Sequence, residues 1–277
     1  MRIFILLALL VFFSCESPTD TDPGDGDGNG SDRTTIIGLP FDFTFYGETY
    51  SEITVSADGW ISLGRNDIPS FRNYPIPGAG GPSPMIAAFW DDLKTGSSGD
   101  VYSYITDEYV IIQWDYMRSY YNNNRQTFEI ILYNNEDQPT ITGDNEIKIQ
   151  YYDFNNTSSG SYPEGGTPTH GCYATIGIEN HLGNQGLQYT FNNQYPNAAM
   201  TLSDGDALFI TTGRASYSLG DINQDEAINV LDVVTLVNIV LNVIEPTPLQ
   251  VIASDINEDG LLNVLDVVLI VNLVLDN

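Results

Sequence analysis

The chain has 277 residues, of which 37 are Asp or Glu and only nine are Lys or Arg, and its formal net charge is −28. A surface this acidic repels the phosphate backbone of nucleic acids, so the composition excludes DNA and RNA as partners. The two cysteines, Cys15 and Cys172, form no cluster, and neither a phosphate-binding loop nor a cofactor fingerprint occurs.

The N-terminal segment has the pattern of a signal peptide over residues 1–14. Arg2 precedes the apolar run Ile3–Phe13, which as a helix would reach about 16 Å and could not cross a hydrocarbon core of about 30 Å. Ser14 before Cys15 resembles the lipobox of bacterial lipoproteins, although the two phenylalanines before Ser14 depart from it. The resemblance implies a diacylated Cys15 that anchors the protein in a membrane. Plain secretory cleavage, which would leave Cys15 as a thiol, is the alternative.

The next segment, residues 15–33, alternates Asp with Gly and has no apolar residue able to seed a core. This composition predicts a disordered acidic tether. A signal peptide, a lipid anchor and a tether together predict an extracytoplasmic lipoprotein of the outer membrane or cell surface.

The region 34–214 has the pattern of one β domain. Apolar and polar residues alternate along it, as at Val110, Ile112 and Trp114, and no helical period is sustained. Turn signals such as Asp58-Gly59 divide the region into about ten short strands. We therefore predict a mainly β fold, in the form of a jelly-roll-like β-sandwich.

Five runs of this region carry a distant resemblance to nidogen-like domains of secreted bacterial proteins. They are Phe41–Gly47, Ser56–Ile61, Ala88–Leu93, Ile176–Asn180 and Gly186–Tyr189. The resemblance implies a sandwich within a multidomain secreted protein and assigns no chemistry to particular residues.

Asp91 and Asp92 are the best candidate carboxylate pair in the sandwich. Neighbouring residues of a strand point to opposite faces, so the pair cannot easily supply both the acid and the base of a glycosidase. We interpret the pair as turn-capping, with calcium binding and catalysis as alternatives. His170 and His181 are interpreted as solvated loop residues, and Cys172 as a buried thiol.

Several tyrosines crowd one part of the sandwich sequence: Tyr104, Tyr109, Tyr116, Tyr120 and Tyr121. Tyrosine rings can stack on sugars, which makes a glycan an alternative ligand. Tyrosine is also simply a frequent strand residue.

Two copies of a twelve-residue loop lie near the C-terminus, 34 residues apart (255 minus 221). Oxygen-bearing side chains occupy the first, third, fifth, ninth and twelfth places, and the seventh would supply a backbone carbonyl, as in a calcium loop of the EF-hand type. Each loop leads into an apolar stretch, Val233–Leu241 or Val267–Leu275. The predicted ligands of two Ca²⁺ ions are Asp221, Asn223, Asp225, Ala227, Asn229, Asp232, Asp255, Asn257, Asp259, Leu261, Asn263 and Asp266.

The segment 218–277 resembles a dockerin, a small module with which secreted bacterial proteins bind cohesin modules. Asp in the twelfth place, where an EF-hand usually has Glu, carries this resemblance. It implies an all-α domain of two calcium-loop-helix repeats with a cohesin-type partner. The segment has ten acidic residues and no Lys or Arg, so we expect calcium binding to drive its folding.

The sixth place of each loop normally needs Gly for a sharp turn. The second loop has Gly260 there and the first has Glu226. We therefore expect the first loop to bind calcium more weakly.

Type I dockerins contact cohesin through the tenth and eleventh loop places, and the resemblance assigns this role to Val230, Leu231, Val264 and Leu265. The alternative is that these residues fill the small core of the module.

Together these features predict a calcium-binding surface lipoprotein whose dockerin docks a cohesin-type partner and whose sandwich is a non-catalytic binding or spacer module. One alternative is a glycoside hydrolase, acting on O-glycosyl bonds, or a carbohydrate-binding component of a polysaccharide-degrading system. Another is a structural protein whose dockerin packs on its own sandwich.

Overall fold

The computed structural model describes residues 34–68, 70–95, 99–120, 122–136, 139–157, 173–214 and 217–276. The predicted signal peptide, Cys15, the tether, Tyr121, His170 and Cys172 lie outside this range. The chain divides into two compact units, one of Met1–Asn134 with Glu146–Ile210 and one of Asn135–Asn145 with Thr211–Asn277.

The first unit is built from strands. In chain order they are β1 (Thr34–Phe45), β2 (Glu48–Ser56), β3 (Trp60–Leu63), β4 (Met85–Trp90), β5 (Leu93–Lys94), β6 (Asp100–Ile105), β7 (Tyr109–Ser119), β8 (Arg125–Tyr133), β9 (Ile147–Asp153), β10 (Thr175–Glu179), β11 (Gly186–Thr190) and β12 (Ala207–Ile210).

These strands form two antiparallel sheets. The first has the order β1-β2-β3-β4-β10-β11, and the second has the order β12-β9-β8-β7-β5, with β6 also paired to β7. The predicted mainly β class with two sheets is confirmed. The strand order is simpler than that of a jelly roll, because most neighbours in a sheet are also neighbours in the sequence.

The alternation seen in the sequence places one set of side chains between the two sheets. Val110, Ile112 and Trp114 of β7 are fully buried in this core. The Trp114 ring stacks on Phe128 with centroids 5.1 Å apart, and its Nε1 donates a hydrogen bond of 2.8 Å to the carbonyl of Ser56 in the other sheet. This hydrogen bond joins the two sheets, and so does the Phe128 ring, which also stacks on Phe89 of the first sheet with centroids 5.6 Å apart.

The predicted turn at Asp58-Gly59 joins β2 to β3. Gly59 has a φ of +78°, and a Cβ there would lie 2.0 Å from the carbonyl oxygen of Phe89. Both the backbone conformation and this close approach require glycine.

The second unit contains helices α1 (Val230–Val240), α2 (Pro248–Ser254) and α3 (Val264–Asp276). Helices α1 and α3 occupy the predicted apolar stretches, and they pack on each other around a small core of Ile222, Leu236, Ile239 and Ile270. Helix α2 was not predicted, although Thr247, Pro248 and Gln250 form a capping box with proline in the first turn.

Candidate functional site

The two predicted calcium loops have nearly the same hydrogen bonds. In the first loop, the carboxylate of Asp221 accepts bonds from the backbone N–H groups of Asp225 (3.1 Å) and Glu226 (3.0 Å). In the second, Asp255 accepts the equivalent bonds from Asp259 (3.1 Å) and Gly260 (2.8 Å). Each loop is thus folded around the carboxylate in its first place.

The residue in the twelfth place joins the loop to the helix that follows it. Asp232 is fully buried, and one of its oxygens accepts bonds from the N–H groups of Ile222 and Asn223 at the start of the loop. Its other oxygen accepts the N–H of Asn229, the N-cap of α1, which completes a capping box. One side chain therefore sets both the path of the loop and the first turn of the helix.

The second loop repeats this arrangement. Asp266 is fully buried, and its oxygens accept bonds from the N–H groups of Ile256 (3.0 Å) and Asn263 (2.9 Å). The side chain of Asn263 accepts a bond of 2.8 Å from Leu265, as that of Asn229 does from Leu231.

The third, fifth, seventh and ninth places are also linked within each loop. The amides of Asn223 and Asn257 donate bonds of 2.9 Å to the carboxylates of Asp225 and Asp259. The amides of the ninth place donate to the carbonyls of the seventh, as the bond of 3.0 Å from Asn229 to Ala227 and that of 3.1 Å from Asn263 to Leu261 show.

The donor set fits a hard divalent cation. Each loop offers three carboxylates, two amide side chains and one backbone carbonyl, all of them oxygen donors. Within the described parts of the chain, no three His, Cys, Asp or Glu side chains converge as a metal cluster. A donor set made only of oxygens suits calcium better than zinc, which prefers nitrogen and sulfur ligands.

The sixth place differs between the loops in the way the sequence predicts. Glu226 has a φ of +66° and Gly260 has a φ of +78°, so both lie in the left-handed region. Glycine adopts this region without cost, whereas a residue with a Cβ loses about 1–2 kcal/mol. The space beside Gly260 is open within 4 Å, so the cost at this place is one of backbone torsion and not of a clash.

The four residues assigned to partner contact lie at the start of α1 and α3 and are exposed. Val230 and Val264 are 61% and 64% exposed, and Leu231 and Leu265 are both 56% exposed. The alternative that these residues fill the core of the module is therefore wrong. One turn later, Val234 and Val268 are each 53% exposed and extend the same two patches.

In the sandwich, Asp91 and Asp92 lie at the corner where the chain passes from β4 in the first sheet to β5 in the second. Asp91 is only 5% exposed; its Oδ1 accepts the N–H of Asp92, and its Oδ2 has no hydrogen bond among the described residues. Burial raises the pKa of Asp91 well above the usual range. The geometry agrees with the turn-capping interpretation.

The remaining sequence candidates fall in separate places. His181 is exposed in the turn between β10 and β11, as predicted for a loop histidine. Tyr116 and Tyr120 lie near cations, with Arg125 and Lys94 over their rings at 5.5 Å and 5.0 Å.

The longest described helix, α3, has 13 residues, and none of the described helices could span a membrane.

Comparison with known families agrees with this two-part organisation. The family model described as NIDO related matches residues 13–212, and that of the dockerin type I domain matches residues 219–275. The chain thus belongs to the NIDO-related family and carries a type I dockerin, a calcium-binding module that docks cohesin. Neither a curated protein nor a solved structure matches the chain.

Proposed function

We propose that the protein is an extracytoplasmic surface lipoprotein whose dockerin binds two Ca²⁺ ions and docks a cohesin-type partner, while the sandwich serves as a non-catalytic binding or spacer module. The observation that carries this proposal is the pair of exposed apolar patches. Each patch begins at the tenth place of a calcium loop, where the following helix starts, and its residues are exposed to nearly the same extent in both repeats.

Patches of this kind need a cover in a working complex, because exposed valines and leucines gain free energy when they are removed from water. The identical sequence Asn-Val-Leu-Asp-Val-Val at 229–234 and 263–268 gives both helices the same contact surface. Either repeat can therefore present the partner with the same residues.

The test is binding of a purified type I cohesin to the full chain in calcium, measured by calorimetry. Leu231→Asp should weaken binding only partly, because α3 still presents Leu265. Leu231→Asp with Leu265→Asp should abolish binding while calcium binding survives. Leu275→Asp, at a leucine that is 77% exposed near the C-terminus of α3, is the matched control and should bind normally. Normal binding by the double variant would reject the docking role.

The anchor is tested separately. If Cys15 is diacylated, Cys15→Ser should move the protein from the membrane pellet to the soluble fraction, because residues 16–32 have no apolar run that could replace the lipid. Retention of the variant in the pellet would contradict lipidation at this residue.

The alternative of a glycoside hydrolase gains no support from Asp91. A carboxyl group that is 5% exposed is closed to a polysaccharide, and its neighbour Asp92 comes from the same strand end. A hydrolase of the common kinds needs two carboxylates on either side of the bond to be cut.

A further inference from the structure

The outward face of the second sheet carries a continuous row of side chains across five strands. Strand register places Tyr104 opposite Ile111, Ile111 opposite Ile131, Ile131 opposite Lys148, and Lys148 opposite Phe209. Their sequence neighbours Ile112, Ile130 and Ile149 are buried between the sheets, so this row points away from the core.

A second, polar row runs beside the first. It consists of Tyr102, Gln113, Glu129, Gln150 and Ala207, which are paired in that order across the same strands. The amide of Gln150 donates a hydrogen bond to the carboxylate of Glu129 at the centre of the row. We call the two rows, together with Tyr109 and Tyr133, the tyrosine face.

Aromatic rings flank the face on both sides. Tyr104 and Tyr109 have centroids 6.1 Å apart on one side, and Tyr133 and Phe209 have centroids 6.4 Å apart on the other. Tyr104 is 38% exposed and Phe209 is 52% exposed, whereas Ile131 between them is only 8% exposed. The rings are thus held by packing while part of their surface stays open to a ligand.

The charged residues on this face are mainly acidic. Asp100 lies directly opposite Asp115 at the edge of the polar row, a pairing of like charges that weakens a sheet. Burial, followed by repulsion from Asp153, raises the pKa of Asp115. Lys148 is the one cationic side chain in the two rows. Such a surface repels anionic ligands and accepts hydrogen bonds from hydroxyl groups.

We propose that the tyrosine face binds a neutral polysaccharide. Its sugar rings would stack on Tyr104 and Phe209, and its hydroxyl groups would donate to Glu129 and the neighbouring acceptors. Five strands spaced about 4.8 Å apart make the face about 19 Å wide, which suits an extended chain of several sugar units rather than a single sugar. The inference rests on the proposed role of the sandwich as a binding module.

The experiment is affinity electrophoresis of the full chain in gels that contain soluble neutral polysaccharides: xyloglucan, mixed-linkage β-glucan, glucomannan and dextran. Polygalacturonate serves as the acidic comparison. At least one neutral polymer should retard the protein, and polygalacturonate should not. Tyr104→Ala with Phe209→Ala should weaken the retarding interaction about tenfold, since two ring contacts are lost.

Tyr120→Ala is the matched control, because Tyr120 is 37% exposed and lies outside both rows; it should be retarded like the unchanged protein. Fluorescence of the three tryptophans, all fully buried in the sandwich, reports whether each variant is folded. If the double variant unfolds, Phe209→Ala alone should still weaken binding about threefold.

The inference is overturned if no neutral polymer retards the protein, if polygalacturonate retards it equally, or if the folded double variant binds normally. A second outcome would also overturn the inference. If immobilised polylysine captures the protein, if this capture is lost in the double variant, and if no polysaccharide binds, the face binds a basic protein instead. Cohesin binding is measured on the same samples. If it persists, only the ligand of the sandwich is wrong and the proposed docking function stands.

Discussion

The two units of this protein achieve stability in opposite ways. The sandwich buries Trp60, Trp90 and Trp114 completely and joins its sheets through stacked rings and hydrogen bonds. The dockerin has four buried apolar residues at its centre, and its sequence has ten acidic residues and no Lys or Arg. We therefore expect burial of apolar surface to be sufficient for the first unit and calcium to be needed for the second.

Removal of calcium should produce the largest difference in stability between the two units. Addition of a chelator should unfold the dockerin, because its carboxylates then repel one another without compensation. The sandwich should stay folded. Far-UV circular dichroism should lose its helical signal, while tryptophan fluorescence should not change, since all three tryptophans are in the sandwich. A helical signal unaffected by chelator would show that the small core suffices.

Loss of the Trp114 side chain should destabilise the sandwich and leave the dockerin unchanged. Trp114→Ala removes a fully buried ring and leaves the carbonyl of Ser56 without its indole donor. We expect the free energy of unfolding of the sandwich to fall by about 3–5 kcal/mol, as measured by urea denaturation. Calcium affinity, measured by calorimetry, should not change. Ile68→Ala, at an isoleucine that is 56% exposed, is the control and should have little effect.

A smaller effect should distinguish the two calcium loops. Glu226→Gly removes the torsional cost of a φ of +66° and should tighten the weaker site about fivefold, equivalent to about 1 kcal/mol. Gly260→Glu should weaken the other site by a similar factor. Calorimetric titration of both variants tests this pair. Equal affinities in the unchanged protein would contradict the predicted order of the sites.

The smallest effect concerns the sandwich and pH. Because burial raises the pKa of Asp91 in the folded state, folding favours its protonated form, and this contribution is lost as pH rises from the unfolded pKa of about 3.9 through the folded pKa. Asp91→Asn should therefore raise the unfolding midpoint of the sandwich at neutral pH and have no effect near pH 3. Asp107→Asn, at an exposed position, should behave like the unchanged protein at both values. A shift that is the same at both pH values would reject this account.

Local patterns predict the parts of this protein whose causes are local. Alternation identified Val110, Ile112 and Trp114 as core residues, and loop spacing identified the sharp turn at Glu226, whose φ is left-handed. The calcium ligands stay a prediction. The exposure of Leu231 and Leu265 could not be decided from the sequence, because it depends on how α1 packs on α3.

The sequence does not show which strands pair with each other. The tyrosine crowding pointed to Tyr104 and Tyr109, which lie on the tyrosine face. It also pointed to Tyr116 and Tyr120, which have cations over their rings, and it missed Tyr133 and Phe209. Phe209 joins the tyrosine face only because β12 pairs with β9, where Phe209 lies opposite Lys148, 61 residues earlier in the sequence (209 minus 148). A contact between segments so far apart in the chain leaves no local signal.

The buried carboxylate of Asp232 links calcium binding to the first turn of helix α1. The same side chain is a calcium ligand in the proposed site and the partner of the N-cap of α1. Binding of the ion and formation of the first helical turn should therefore occur together. Val230 and Leu231 are part of that turn. Attachment to a partner would then depend on the concentration of free calcium, firm where the ion is millimolar and released where a chelator removes it.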